Sequence, residues 1–90
     1  MSAEIKSQLL SETRPGKRVE IVGFTLSEVP LKYFEMGFLP GNVVFVKRVA
    51  PLKDPIHIEI SGYDLAIRLN EASLVLVKDV DSKNGQTPWS

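Results

Sequence analysis

A small, mainly β domain is the fold this sequence predicts: about five short antiparallel strands curled into a barrel, with one helix inserted after the first strand. Three observations carry the prediction. Period-two alternation recurs in short runs, over Val19–Gly23 and again from Ile56 to Leu69. Pro-Gly pairs at Pro15-Gly16 and Pro40-Gly41 punctuate those runs as turns. The chain has only 90 residues, and so short an antiparallel set protects its edges best by closing on itself. An open sheet with a helix on one face is the competing architecture.

Residues 1–10 have Ile5, Leu9 and Leu10 on one side of a short amphipathic helix. Arg14-Pro15-Gly16-Lys17 turns the chain, because Pro presets φ and Gly accepts a positive one. Val19, Ile21 and Gly23 alternate with Arg18, Glu20 and Val22, the period of a half-buried strand. The helix follows, with Ser27 as cap, Pro30 in its first turn and Gly37 as a left-handed stop. Leu26 and Leu31 are spaced as a hydrophobic staple. Leu39-Pro40-Gly41-Asn42 then resets the chain to extended structure. Val43–Val49 reads as a strand apolar on both faces at its centre, one filling the interior and one lying under the helix. Pro51 and Pro55 bracket a stiff loop, since two missing N–H groups forbid a central strand. A turn around Gly62-Tyr63 makes a hairpin that sets Ile60 opposite Leu65, Ile58 opposite Ile67 and His57 opposite Arg68. Asn70–Ser73 is a tight connection into a last strand, Leu74–Val77. Residues 1–80 form a single domain; residues 81–90, which include Trp89, lack any period and read as a mobile tail.

Composition removes whole classes of function. Eleven Lys and Arg balance eleven Asp and Glu, so the chain lacks the global charge that nucleic-acid or anionic-membrane binding draws on. Lys47, Arg48 and Lys53 lie close in sequence, with Tyr33, Phe34, Phe38 and Tyr63 as candidate stacking partners. They read as a charged rim around a core instead, and no nucleic acid is expected. Cysteine is absent, which excludes disulfides, thiolate metal sites and thiol catalysis. No apolar run approaches the ~20 residues of a membrane span. Glu4, Lys6 and Gln8 interrupt what a signal peptide would need as an apolar stretch.

Chemistry-bearing motifs are sparse. Ser27, Ser61 and Ser73 have no Gly-x-Ser-x-Gly context, and one His would have to serve any triad. Met36 to Gly41 reads M-G-F-L-P-G, without the Lys-Ser/Thr of a phosphate loop. No enzyme activity and no catalytic residue are predicted. His57 and Glu59 leave one face of their strand and are candidate metal ligands, yet a transition-metal site wants three or four donors. The expected neighbour Arg68 would also repel a cation. No cofactor is therefore assigned beyond weak ferrous-iron or other divalent-metal binding at that pair. The surface that remains is an apolar and proline-rich rim. Leu26, Phe38, Leu39, Pro51, Leu52, Lys53 and Asp54 are the candidate partner-binding residues, since a rigid loop loses little entropy on docking.

The successive stretches R-P-G-K-R-V-E-I-V-G-F, F-E-M-G-F-L-P-G-N-V-V-F-V, V-A-P-L-K-D-P-I-H-I-E-I and Y-D-L-A-I-R-L-N-E-A resemble the FeoA family of small cytosolic proteins of bacterial ferrous-iron uptake. The resemblance spans residues 9–80. It implies an SH3-like barrel and a non-enzymatic accessory role beside FeoB, a membrane permease with a cytosolic GTP-binding domain. Location would then be cytoplasmic, at the inner membrane only through that partner, with self-association open. A related module closes DtxR-type metal-dependent repressors, so a transition-metal-binding or metal-regulatory module is the alternative. Family members usually carry Gly where this chain has Lys53. If that position holds a positive φ, a lysine costs about 1–2 kcal/mol there.

Overall fold

A computed structural model describes residues 7–80. Their order is β1 (Gln8–Leu9), a 3-10 turn η1 (Leu10–Glu12), β2 (Arg18–Phe24), α1 (Leu31–Glu35), β3 (Val43–Val49), β4 (Ile56–Ile60), β5 (Tyr63–Ile67), α2 (Leu69–Ala72) and β6 (Val75–Asp79). All six strands share one antiparallel sheet in the order β1-β6-β2-β3-β4-β5. This is the mainly β, SH3-like arrangement the patterning predicts, with one strand more than the five expected. The additional strand lies inside the expected N-terminal helix: Gln8 pairs with Val77 and Leu9 with Leu76. Residues 1–6 of that expected helix and the tail with Trp89 lie outside the described residues.

Two bulges bend the sheet. Val22 is the extra residue between Ile21 and Gly23 opposite β6, and Lys47 the extra one between Val46 and Arg48 opposite β4. Each bulge sharpens the local twist. The two ends of the sheet are joined by packing, for no ladder among the described residues connects β5 back to β1. Instead α2, which follows β5, packs on η1, which follows β1. The interior is one cluster drawn from both ends, including Leu10, Ile21, Val46, Ile58, Ile67 and Val77. Aliphatic filling of this kind is the main stabilising term, at about 25 cal/mol per Å² of apolar surface removed from water.

The helix is shorter than its sequence signals. Pro30 is its N-cap and Ser27 makes no capping bond. Leu26 and Leu31 are both exposed, so no staple forms. The C-terminal end behaves as expected: Gly37 has φ +101°, its N–H bonds to the Phe34 carbonyl at 3.0 Å, and the Phe38 N–H bonds to Tyr33 at 2.9 Å. That pair of bonds is a Schellman stop, which needs a left-handed residue. A Cβ at Gly37 would also stand 3.1 Å from the Ser61 hydroxyl oxygen.

The hairpin turns earlier than predicted. Ser61 and Gly62 both hold positive φ, 52° and 82°, as a two-residue turn, and Ile60 pairs with Tyr63. Every pairing moves by two residues: Ile58 faces Leu65, Ile56 faces Ile67, and His57 faces Ala66 where Arg68 was expected. A shift of two leaves each side chain on its predicted face. In β3, Val44 and Val46 fill the interior, but the helix does not roof the other face. Val43 is exposed there, and Phe45 is half-covered by the Arg18 guanidinium, 5.5 Å from the ring centre.

Candidate functional site

The β3–β4 connection is the most prominent surface feature. The Lys53 N–H closes a turn on the Ala50 carbonyl at 2.7 Å, and the Ala50 N–H bonds to Pro55 at 3.1 Å. This short, internally bonded loop lifts Leu52 clear of the fold, leaving it 88% exposed, while Pro51, Lys53 and Asp54 are exposed around it. Lys53 has φ 69°. A left-handed lysine is strained by about 1–2 kcal/mol, because its Cβ crowds the following carbonyl oxygen.

Asp54 has a different task from its neighbours. Its Oδ1 accepts the Leu69 N–H at 3.0 Å, satisfying a donor at the start of α2, and its Oδ2 lies 4.0 Å from the Arg68 guanidinium. The aspartate of the A-P-L-K-D-P stretch moors the loop to the start of α2, just past the neighbouring strand β5. Between the loop and residues 11–15 runs a groove of about 580 Å³. Pro15, Val49, Ala50, Pro51 and Ile56 give it apolar walls; Arg14 and Lys53 are its exposed cations.

Other rim residues are placed elsewhere. Leu26 and Leu39 are exposed on either side of α1 and do not line the groove. Phe38 corrects the expectation that it sits on the rim: it is wholly buried, its ring 6.1 Å from Tyr33. The Schellman stop turns it inward, so it presents nothing to a partner. Phe34 leans on Phe24 at 5.7 Å and is partly exposed beside Leu31. Sequence reasoning missed Arg14, whose only local signal is the Pro-Gly turn after it.

The candidate ligands His57 and Glu59 do share the outer face of β4, but the surroundings oppose a cation. Arg48 lies across from His57 on β3, and Lys47 reaches Asp64 at 3.2 Å in the same shallow hollow. Among the described residues, no three His, Cys, Asp or Glu side chains gather as a metal would require. The perturbed ionisations lie in another place. Glu71 is held below the usual carboxylate range by the Lys32 ammonium at 2.8 Å, and further by the Arg68 N–H at 3.1 Å. The same bond raises Lys32, and burial raises Tyr33. This exposed pair ties α1 to α2.

Comparison with known proteins places these features in context. The family model described as the FeoA domain matches residues 8–79. A curated Fe(2+) transport protein A/Fe(2+) transporter FeoB fusion protein of Porphyromonas gingivalis is 33% identical over 82 residues, covering 90% of this chain and 10% of its own length. The chain thus spans about a tenth of that relative. The NMR structure of a FeoA-like protein from Clostridium acetobutylicum superposes with a TM-score of 0.77 at 31% identity, over 86% of this chain and 91% of the other. The zinc complex of Stenotrophomonas maltophilia FeoA, described as an SH3 domain protein, has a TM-score of 0.68 at 21% identity, over 79% and 89%. That last likeness speaks for the fold alone.

Proposed function

This chain belongs to the FeoA family, a family linked to Fe(2+) transport, and we propose that it is a non-enzymatic accessory of ferrous-iron uptake that docks on the cytosolic part of a FeoB-type permease. The observation that carries the reading is the loop: a large aliphatic side chain, Leu52, is held almost fully in water by a rigid, internally bonded segment. Apolar surface displayed this way costs little entropy to bury against a partner. The covalent joining of the two parts in the Porphyromonas gingivalis protein supports the choice of partner. No helix among the described residues is long and apolar enough to cross a membrane, so attachment to the membrane runs through the permease in this reading. The metal-regulatory alternative is less well supported, because Arg48 stands across from His57.

The test is the affinity between this protein and its own FeoB, as the cytosolic domain and as the full permease, with and without nucleotide. Leu52→Glu is expected to weaken binding at least tenfold while leaving the unfolding temperature unchanged, since the side chain packs on nothing. No measurable binding in any nucleotide state or to the full permease overturns the docking reading.

A further inference from the structure

The groove beside the loop has a composition that the docking surface alone does not require. Its walls are largely apolar, and among the described residues its two exposed cations, Arg14 and Lys53, form no ion pair or side-chain hydrogen bond. The remaining charge in the groove is Glu12, whose Oε1 already accepts the Leu9 N–H at 3.1 Å. That bond to a neutral donor leaves the Glu12 charge in place, so a chain with no net charge sets two cations against one carboxylate around one apolar trough.

Lys53 supplies an independent observation. It occupies a left-handed backbone position that disfavours any side chain. Yet its side chain is exposed and its ammonium makes no ion pair or hydrogen bond among the described residues. Strain kept by a side chain whose head the fold does not bond points to a position set by something outside it. It lines the groove together with Arg14.

We propose that this groove binds an extended, acidic segment of a protein partner, with apolar side chains seated against Val49, Ala50 and Pro15 and carboxylates held by Arg14 and Lys53. The inference deepens the docking reading and borrows from it only the identity of the partner. Apolar walls give the segment affinity; the paired cations select its charge and speed its approach.

The test has two arms, both on the full chain. In the first, the isotope-labelled protein is titrated with a synthetic eight-residue probe of alternating Glu and Leu and with a second probe in which every Glu is Lys. The acidic probe is expected to shift amide signals of Arg14, Val49 to Lys53 and Ile56, with affinity falling as salt rises. The basic probe is expected to bind at least tenfold more weakly. Arg14→Glu with Lys53→Glu should cost the acidic probe tenfold or more, and Lys53→Gly should weaken binding while raising the unfolding temperature. Equal binding of both probes, shifts confined to other surfaces, or unchanged affinity in the double variant overturns the groove assignment. In the second arm the same variants are measured against the organism's FeoB. Wild-type binding that both variants leave intact also overturns the groove. Acidic-probe binding with no FeoB binding supports the groove and overturns only the docking reading.

Discussion

At the scale of single residues, the informative positions are those where the backbone and the side chain disagree. Gly37 and Lys53 both hold positive φ, but only the first is a residue that does so without strain. Replacing Lys53 by Gly relieves about 1–2 kcal/mol of local strain. Glycine also gives the unfolded chain more freedom, which offsets roughly 0.5–1 kcal/mol of that. The balance is a stabilisation of about 0.5–1 kcal/mol, a rise in unfolding temperature of several degrees for a domain of this size. Thermal unfolding followed by circular dichroism checks it; an unfolding temperature that falls would mean that the lysine stem packs on the fold after all. Asp54 shows the opposite case. Its place is among the expected partner contacts, yet its carboxylate satisfies the Leu69 N–H just beyond the neighbouring strand. Nothing in a local reading of A-P-L-K-D-P points fifteen residues ahead.

At the scale of elements, alternation told inside from outside almost everywhere, while register and ends depended on contacts that local patterns do not contain. Ile56, Ile58 and Ile60 are buried as their spacing requires. Their partners were misassigned by two residues because Ser61 gives no strong sign of the left-handed conformation that makes a two-residue turn. The N-terminal strand was hidden because two residues have no period; only the free edge of β6 calls it into the sheet. The candidate loop was legible from its two prolines, whereas Arg14 enters the groove from the other end of the sheet. Between α1 and α2 the Lys32–Glu71 pair supplies a dependence on pH. Glu71 is depressed from its ordinary 4.5, so its contribution to stability is complete above that value and is lost as pH falls through the lower, folded value. Lys32 is raised from 10.5, so its share is complete below 10.5 and is lost as pH rises through the higher, folded value. Glu71→Gln keeps an acceptor for the Arg68 N–H but removes the charge. The variant is expected to be slightly less stable at pH 7 and to converge with the wild type below the carboxylate range. A gap that persists undiminished at pH 2 to 3, roughly two units below a normal glutamate, would assign the loss to packing.

At the scale of the whole molecule, a six-stranded sheet with two free ends behaves as a barrel because apolar side chains, not a closing ladder, join those ends. Leu10 is at that seam: it is fully buried in η1, which packs on α2 and β6, and it shares a cluster with Ile56 and Ile67 from the far end. Leu10→Ala therefore removes filling that both ends use. A buried Leu→Ala change costs about 2–5 kcal/mol. A domain of this length holds roughly 5–13 kcal/mol in total, so the variant should lose a large share of its stability. Its unfolding temperature should drop by about 8–40 °C, at 4–8 °C per kcal/mol. Leu52→Ala removes an equally large side chain from the loop tip and should stay within about 0.5 kcal/mol of the wild type. Urea unfolding of the two variants measures the contrast directly. A Leu10→Ala loss below about 1 kcal/mol, the range of minor substitutions, would mean that the ends part easily and that the groove walls are not held in fixed relation. A large loss at Leu10 beside none at Leu52 separates the leucine that builds the fold from the one the fold displays.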